Sequence, residues 1–420
     1  MKVLFIVTSY WAYGELLIAL NFANKIKKSG YQPYFFIPPS HEKILRTHKI
    51  PYSLLIPKLG KVNRVLMQDI EHRHCPDYVI LSDFLNYYFC EKHYGITVED
   101  LKIFKGKLGT FDNFCWDLDR QGMDTYGFNA KTVSKVDITK FGFRLTPCPI
   151  ANPLMKNENN KYYYPLLDEF LPYNQDIKIK HRKELNLPQN KRIILITSAV
   201  WQETYKAYPH VTNFVNVANK IYRNILTRIA QNNIVLYVGP KGFFEEGNIP
   251  SNIHFLGQLS PDVFEKYATA SDLFITRNIT STTLAKLALS GIPSVMLKNS
   301  LFFTPKTKDK FKCPFKPTEQ VEEILNNLEM CYPYRMYPVG WYTFLEPVIK
   351  DNPYINVVNE VELFDEERAV DTIWDILENR ETVDRITENV ARYRGMLDKL
   401  CTPSNILEQI GYDEANNCCL

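Results

Sequence analysis

The chain has 420 residues, and a single hydrophobic core stops growing near about 250–300 residues, so two cores are expected. Its formal net charge of +3 gives no case for general nucleic-acid binding, and no run of about 18 apolar residues is present to cross a membrane. Nine cysteines, an odd number with no Cys-x-x-Cys pair, read as reduced thiols of a cytoplasmic protein.

The chain opens Lys2-Val3-Leu4-Phe5-Ile6-Val7-Thr8. This apolar run is too short for a secretory signal and reads as the first core strand. A polar-aromatic loop leads to Glu15, after which Leu17, Leu20, Ala23 and Ile26 recur at helical spacing. Ser29-Gly30 ends that helix, and Gln32–Ile37 is the next strand, giving a right-handed βαβ opening. Tyr52–Ile56, Tyr78–Leu81, Lys107–Phe111 and Phe143–Thr146 are further strand candidates.

Two clusters in this half have metal-ligand chemistry without metal-site spacing. His72-Arg73-His74-Cys75 fits no zinc pattern and reads as a solvated loop. Asp117-Leu118-Asp119 has the letters of a cation-binding acidic motif, but it falls several residues past its strand and reads as loop carboxylates. No metal site is expected. Prolines at Pro147, Pro149 and Pro153 then break the chain. Residues 1–155 form the first domain, and the polar, tyrosine-rich stretch 156–176 reads as an interdomain linker.

A second α/β series occupies 177–365. A short helix around His181–Pro188 precedes the strand Ile193–Thr197, a helix near Thr212–Ala230 and the strand Ile234–Val238. From Asn252 to Lys298 the pattern is strand, helix, short strand, hydroxyl-rich loop, helix, Gly-x-Pro turn, strand. Beyond it, Lys306–Lys316 is locally basic, and Tyr332–Tyr342 holds too many prolines for a regular helix or central strand. Residues 366–415 read as C-terminal helices, broken at Thr402-Pro403.

Thr280-Ser281-Thr282-Thr283 stands between the strand Leu273–Ile275 and the helix Leu284–Leu289. Hydroxyls and unsatisfied N–H groups at a helix start, at the C-terminal edge of a parallel strand, make a phosphate site. The segment Phe255-Leu256-Gly257, Ala270-Ser271-Asp272, Thr276–Thr283 and Gly291-Ile292-Pro293 resembles the donor-nucleotide half of glycosyltransferases with the two-domain GT-B fold. Arg277, just after the strand, resembles the lipid-intermediate N-acetylglucosaminyltransferases of cell-wall synthesis.

The resemblance implies two doubly wound Rossmann-like α/β domains facing across a cleft, the first on the acceptor side and the second on the donor side. The C-terminal helices would pack back on the first domain. It implies transfer of a hexose from a nucleotide-diphosphate sugar, a co-substrate and not a cofactor, to a small-molecule, lipid or peptide acceptor. The route would be metal-independent and inverting.

Sugar transfer needs a base for the acceptor and stabilisation of the departing diphosphate. Glu15 follows Gly14 at the position where the family places its base, and Asp83 and Asp112 stand at neighbouring strand ends. Ser198, Trp201, Arg277, Thr280, Ser281 and Thr282 are the donor-side candidates, with Gly14 in the opposing loop. Two departures from the family pattern matter. Ile279 stands where the loop normally carries glycine, and Ala285 and Lys286 stand where an acidic residue would hold the ribose. They keep two alternatives open: a non-catalytic GT-B-like binding or auxiliary protein, or a nucleotide-sugar epimerase or hydrolase.

Overall fold

The computed structural model describes residues 1–10, 13–116, 137–158, 160–167, 169–199, 202, 209–241, 249–338 and 340–417. Among them the chain divides into two compact units. One takes the chain before Glu169 and again from Met396; the other is Glu169–Gly395.

The first unit is built on seven parallel strands: β1 (Lys2–Ile6), β2 (Gln32–Ile37), β3 (Tyr52–Leu54), β4 (Tyr78–Leu81), β5 (Lys107–Phe111), β6 (Phe143–Cys148) and β7 (Lys161–Pro165). Their spatial order is β3-β2-β1-β4-β5-β6-β7. Side chains alternate between the faces of a strand, and a sheet covered on both sides needs apolar residues at every position. Val3 and Phe5 of β1, and Val7 just past it, join the core beneath the helix Gly14–Lys28, while Leu4 and Ile6 join the core on the opposite face.

Two expectations change here. Residues 156–176 are not a plain linker, because Lys161–Pro165 is the edge strand β7 and the helix Gln175–Glu184 begins inside the range. The tyrosines that suggested a loop are the strand's buried residues Tyr162, Tyr163 and Tyr164. His72, Arg73 and His74 are not in a loop; they form the last turn of the helix Gly60–His74, with Cys75 in the left-handed conformation behind it. Basic side chains in that turn complement the carbonyl end of the helix dipole.

The last helix, Pro403–Asn417, belongs to the first unit. Ile406, Leu407 and Ile410 enter the core with Phe5, Phe22 and Phe35. Tyr78 Oη donates to the Leu407 carbonyl at 2.8 Å, Lys107 Nζ to that of Ile410 at 2.8 Å, and the hydroxyls of Ser404 and Ser29 meet at 2.7 Å.

The second unit holds six parallel strands, β8 (Ile193–Thr197), β9 (Ile234–Val238), β10 (Ile253–Gly257), β11 (Leu273–Thr276), β12 (Ser294–Lys298) and β13 (Glu360–Glu362), ordered β10-β9-β8-β11-β12-β13. Asp272 explains why two distant sequence patterns occur together. Its carboxylate accepts from Arg182 Nη2 at 2.6 Å, Lys178 Nζ at 3.0 Å and the Ile193 N–H at 2.7 Å. One buried charge thus ties the helix Gln175–Glu184 to the starts of β8 and β11, and its partners offset the cost of burying it. Gly291, at φ +87°, closes the helix Thr282–Leu289 in a left-handed turn, with Ile292 N–H reaching back to the Leu287 carbonyl at 3.1 Å.

The last helix makes a direct prediction. Leu407→Ala removes a fully buried side chain and should cost the first unit about 2–5 kcal/mol, read as a lower urea midpoint.

Candidate functional site

Both sheets reverse their strand order once, between β1 and β4 in the first and between β8 and β11 in the second. At such a reversal the two chains leave towards opposite faces, and the crevice beyond the strand ends receives ligands in open α/β sheets. The candidate groups of each unit collect there.

In the first unit, Glu15 opens the helix after β1 and Asp83 follows β4. Asp83 caps the helix Phe84–Phe89, its Oδ1 accepting the Asn86 N–H at 2.8 Å. Asn86 then reaches across the reversal, its Nδ2 donating to Glu15 Oε1 at 2.6 Å. Asn113, after β5, donates to Asp83 Oδ2 at 3.4 Å. One asparagine on each side therefore holds two carboxyls in a common environment.

Burial, and then the neighbouring charge of Asp83, pushes Glu15 up to about 7; hydrogen bonds from its own backbone, Asn86 and Ser9 pull it back only part-way. Burial likewise lifts Asp83 to about 6, against the hydrogen bonds of Asn86, Leu85 and Asn113. The adjacent Cys90 thiol donates to the Thr8 carbonyl at 3.3 Å and is held up near about 12 by its own burial, so it stays protonated. A carboxyl poised near 7 can exchange a proton with a hydroxyl substrate at neutral pH.

Asp112 stands apart from this pair. It is fully buried after β5, accepts the Trp116 N–H at 2.8 Å and faces Lys161 Nζ at 3.7 Å. Its charge adds to the rise in the Asp83 pKa. Gly14 is exposed, and a Cβ there would meet nothing within 4 Å, so no close approach demands glycine.

In the second unit the Gly-to-Ile departure has a structural counterpart. The segment Cys331–Tyr337 pairs antiparallel with the loops after β11 and β12, through bridges Asn278–Met336, Asn299–Tyr334 and Phe303–Cys331. Ile279 is buried and its N–H donates to the Arg335 carbonyl at 2.9 Å. The Thr280 N–H and hydroxyl both donate to Asn278 Oδ1, at 2.9 and 2.8 Å. Ser281 caps the helix, its Oγ accepting the Leu284 N–H at 3.3 Å. Thr282 and Thr283 are the helix's first two residues, whose N–H groups fall outside the helical ladder.

Arg277 is packed among aromatic rings. It is 3% exposed, its guanidinium lying 3.5 Å from the centre of the Tyr337 ring and 4.3 Å from that of Tyr222. Nη1 donates to Asn219 Oδ1 at 2.8 Å, and Tyr337 Oη donates to the same oxygen at 2.7 Å. This cation fixes the aromatic segment to the long helix Pro209–Ile229. The run Tyr332–Tyr342, which composition alone could not place, forms the rest of that lock through buried Tyr332, Tyr334 and Tyr337.

Ser198 follows β8 and is half-buried. Gly239, at φ +135°, lies so close that a Cβ would come within 2.3 Å of the Ser198 carbonyl oxygen. Gln202 is buried, accepting the Ala199 N–H at 2.8 Å. Trp201 and Asp117-Leu118-Asp119 lie outside the described residues. In the basic run, Lys306, Lys310, Lys312 and Lys316 are exposed, and Lys308 donates to the Asn326 carbonyl at 2.6 Å. No group of three or more metal-ligating side chains is found among the described residues, and no described helix is long and apolar enough to cross a membrane.

Three site residues were missed from the sequence. Asn86 and Asn113 lacked any motif, although Asp83-x-x-Asn86 has the spacing of a cap and its N3 residue. His41 follows β2 in Pro38-Pro39-Ser40-His41 and is fully buried at the same edge. Burial lowers its pKa, so it is neutral at pH 7.

The chain belongs to a family of unknown function (DUF6365), whose model matches residues 22–414. No curated protein matches it. It is similar in structure to Alr3699/HepE of Anabaena in complex with UDP and glucose, at a TM-score of 0.57 and 13% identity over 99% of this chain and 100% of that one. UGT89C1 of Arabidopsis thaliana, complexed with quercetin, gives 0.56 and 11% over 98% of each chain. The spinosyn forosaminyltransferase SpnP gives 0.53 and 12% over 99% of each. The fold is that of the GT-B glycosyltransferases.

Two outcomes are expected. Glu15 and Asp83 have folded pKa values above their ordinary 4.5 and 3.8, so the native state keeps protons that the unfolded chain has released. Stability should fall as pH rises from about 4 to about 7, and Glu15→Gln should flatten that fall, gaining on the wild type in urea midpoints at pH 8 relative to pH 5. Arg277→Leu should cost the second unit about 2 kcal/mol or more, and Arg277→Lys should not restore it, because an ammonium lacks the planar stack and fork.

Proposed function

We propose that this chain is a glycosyltransferase that moves a sugar from a nucleotide-diphosphate donor to a hydroxyl-bearing acceptor. The observation that supports this most is the Glu15–Asp83 pair, at the strand-order reversal of the first sheet in a GT-B fold, with one carboxyl held near neutrality. Glu15 takes the proton of the acceptor hydroxyl. The freed oxygen attacks the anomeric carbon, and the bond from that carbon to the diphosphate oxygen breaks, its electron pair leaving with the diphosphate. A single displacement of this kind inverts the anomeric centre.

Charge on the departing diphosphate falls to the start of the helix Thr282–Leu289. The N–H groups of Thr282 and Thr283 and the helix dipole attract an anion there, without a metal in the proposed route. Asp83 and Asn86 position Glu15 and tune it. Arg277 has no chemical part in the route; it anchors the wall of the donor half.

One observation favours a second reading, a ligand-binding member without transfer activity. The N–H groups of Ile279 and Thr280, in the loop that would approach a phosphate, are already taken by Arg335 and Asn278.

Thermal unfolding with UDP, dTDP, GDP, CDP and ADP separates the two, since a ligand that binds only the folded chain raises the midpoint. One nucleotide should stabilise the protein. Thr282→Pro should abolish that shift, because proline at the first helical position keeps the helix but removes the donor. Glu15→Gln should bind the nucleotide normally and lose about 10²–10⁴-fold in kcat. No shift with any nucleotide supports the non-transferring reading, and release of free sugar without acceptor would point to a hydrolase.

A further inference from the structure

Four buried side-chain atoms at the reversal edge of the first sheet have no hydrogen-bond partner among the described residues: Glu15 Oε2, His41 Nε2, Ser82 Oγ and Asn113 Oδ1. They come from the segments that follow four different strands, β1, β2, β4 and β5. A buried polar atom without a partner is costly, and native proteins leave few of them. Four at one edge, linked through Asn86, Asp83 and Ser9, mark a place where a polar ligand completes the bonding.

The rim of this edge is aromatic. Tyr13 is 47% exposed, with its ring tilted over His41 at 5.0 Å between centroids. Tyr10 is 44% exposed and stacked on His93 at 4.2 Å, and the Ser40 hydroxyl, beside His41, donates to its carbonyl at 3.3 Å. Each tyrosine is thus backed by a histidine while still reaching solvent. Glu15 lies one residue beyond Gly14 from Tyr13, so the ring and the proposed base belong to one short stretch of chain.

We infer that the acceptor is an uncharged saccharide, one of whose rings stacks on Tyr13 while its hydroxyls satisfy the orphaned atoms of Glu15, His41, Ser82 and Asn113. The inference rests on the glycosyltransferase reading and names the acceptor class of that site. A sugar ring carries both requirements at once: an apolar face of C–H bonds for the aromatic ring, and several hydroxyls that each donate and accept. A flat phenolic acceptor supplies the face, but its hydroxyls all lie in the plane of the rings, whereas those of a saccharide project around the ring. A phosphate-bearing lipid head would bring its charge to an edge where burial already disfavours charge on Glu15 and Asp83, and any charge those carboxyls carry has the same sign.

The test measures binding without any nucleotide, so that it stands apart from transfer. The full chain is applied to a printed array of defined neutral mono- to tetrasaccharides, and is titrated separately with quercetin and with a polyprenyl phosphate in detergent. At least one saccharide should bind, and neither of the other two should compete with it. Tyr13→Ala should weaken saccharide binding by about tenfold or more, the size of a lost stacking contact, while Tyr13→Phe retains it. Tyr13 is half-exposed, so its variants keep the fold, as circular dichroism will show; His41→Gln, at a buried site, is the second variant and should also weaken binding.

Binding of no saccharide, or binding indifferent to both Tyr13→Ala and His41→Gln, overturns the inference. So does transfer to quercetin in preference to every saccharide, which would leave the glycosyltransferase reading standing. Saccharide binding in a chain that never uses a nucleotide sugar would instead keep the saccharide site and remove the transfer reading, and with it the role of acceptor.

Discussion

A parallel sheet sends every strand out by the same edge, and that constraint organises both halves of this protein. Strands buried on both faces must be apolar throughout, so polar chemistry is excluded from their length and gathers where they end. Where the strand order reverses, β1 beside β4 and β8 beside β11, neighbouring chains diverge and leave room between them. Glu15, Asp83, Asn86 and Asn113 depend on the first reversal; Ser198, Gln202 and the helix start at Thr282 depend on the second. Burial then acts on what topology has assembled. The same desolvation that makes the strand cores cohesive withholds charge from Glu15 and Asp83 and brings their proton affinities towards neutral pH.

The strands were the most legible part of the sequence. Gln32–Ile37, Tyr78–Leu81, Lys107–Phe111, Ile193–Thr197 and Ile234–Val238 have the bounds that their apolar runs suggested. Each is a short run closed by turn residues, which is the signature of a fully buried strand. The edge strand β7 was hidden because its tyrosines and flanking polar residues look like a loop when the neighbouring strand is unknown. The helix Gly60–His74 was hidden because only Asn63, Met67 and Ile70 face inward, too few to make an apolar stripe.

The site was legible in outline and not in detail. Strand-end positions pointed to Glu15, Asp83 and Asp112, but no spacing rule separates a carboxyl left open to a ligand from one that faces a lysine. Asp112 has Lys161 as its neighbour, from a strand forty-nine residues on and unrecognised in the sequence. Arg277 illustrates the same limit. A lone arginine beside a hydroxyl-rich loop suggests a phosphate, yet its partners Asn219, Tyr222 and Tyr337 come from segments on either side of it in the chain. Its burial among aromatic faces also accounts for the Tyr332–Tyr342 stretch, whose composition fits no regular element. Prolines rule out a helix there, and single bridges to Asn278, Asn299 and Phe303 replace a continuous ladder.

The return of the helix Pro403–Asn417 to the first unit has a consequence for how the molecule is made. The second unit is drawn from one unbroken stretch, Glu169–Gly395, whereas the first is assembled from the two ends of the chain. During synthesis the residues that begin the first sheet leave the ribosome early, yet Ile406, Leu407 and Ile410 arrive last. Until Ile406, Leu407 and Ile410 are made, part of the first unit's core is uncovered, whereas the second unit draws on nothing after Gly395. The half that begins first is therefore the half whose core residues are completed last.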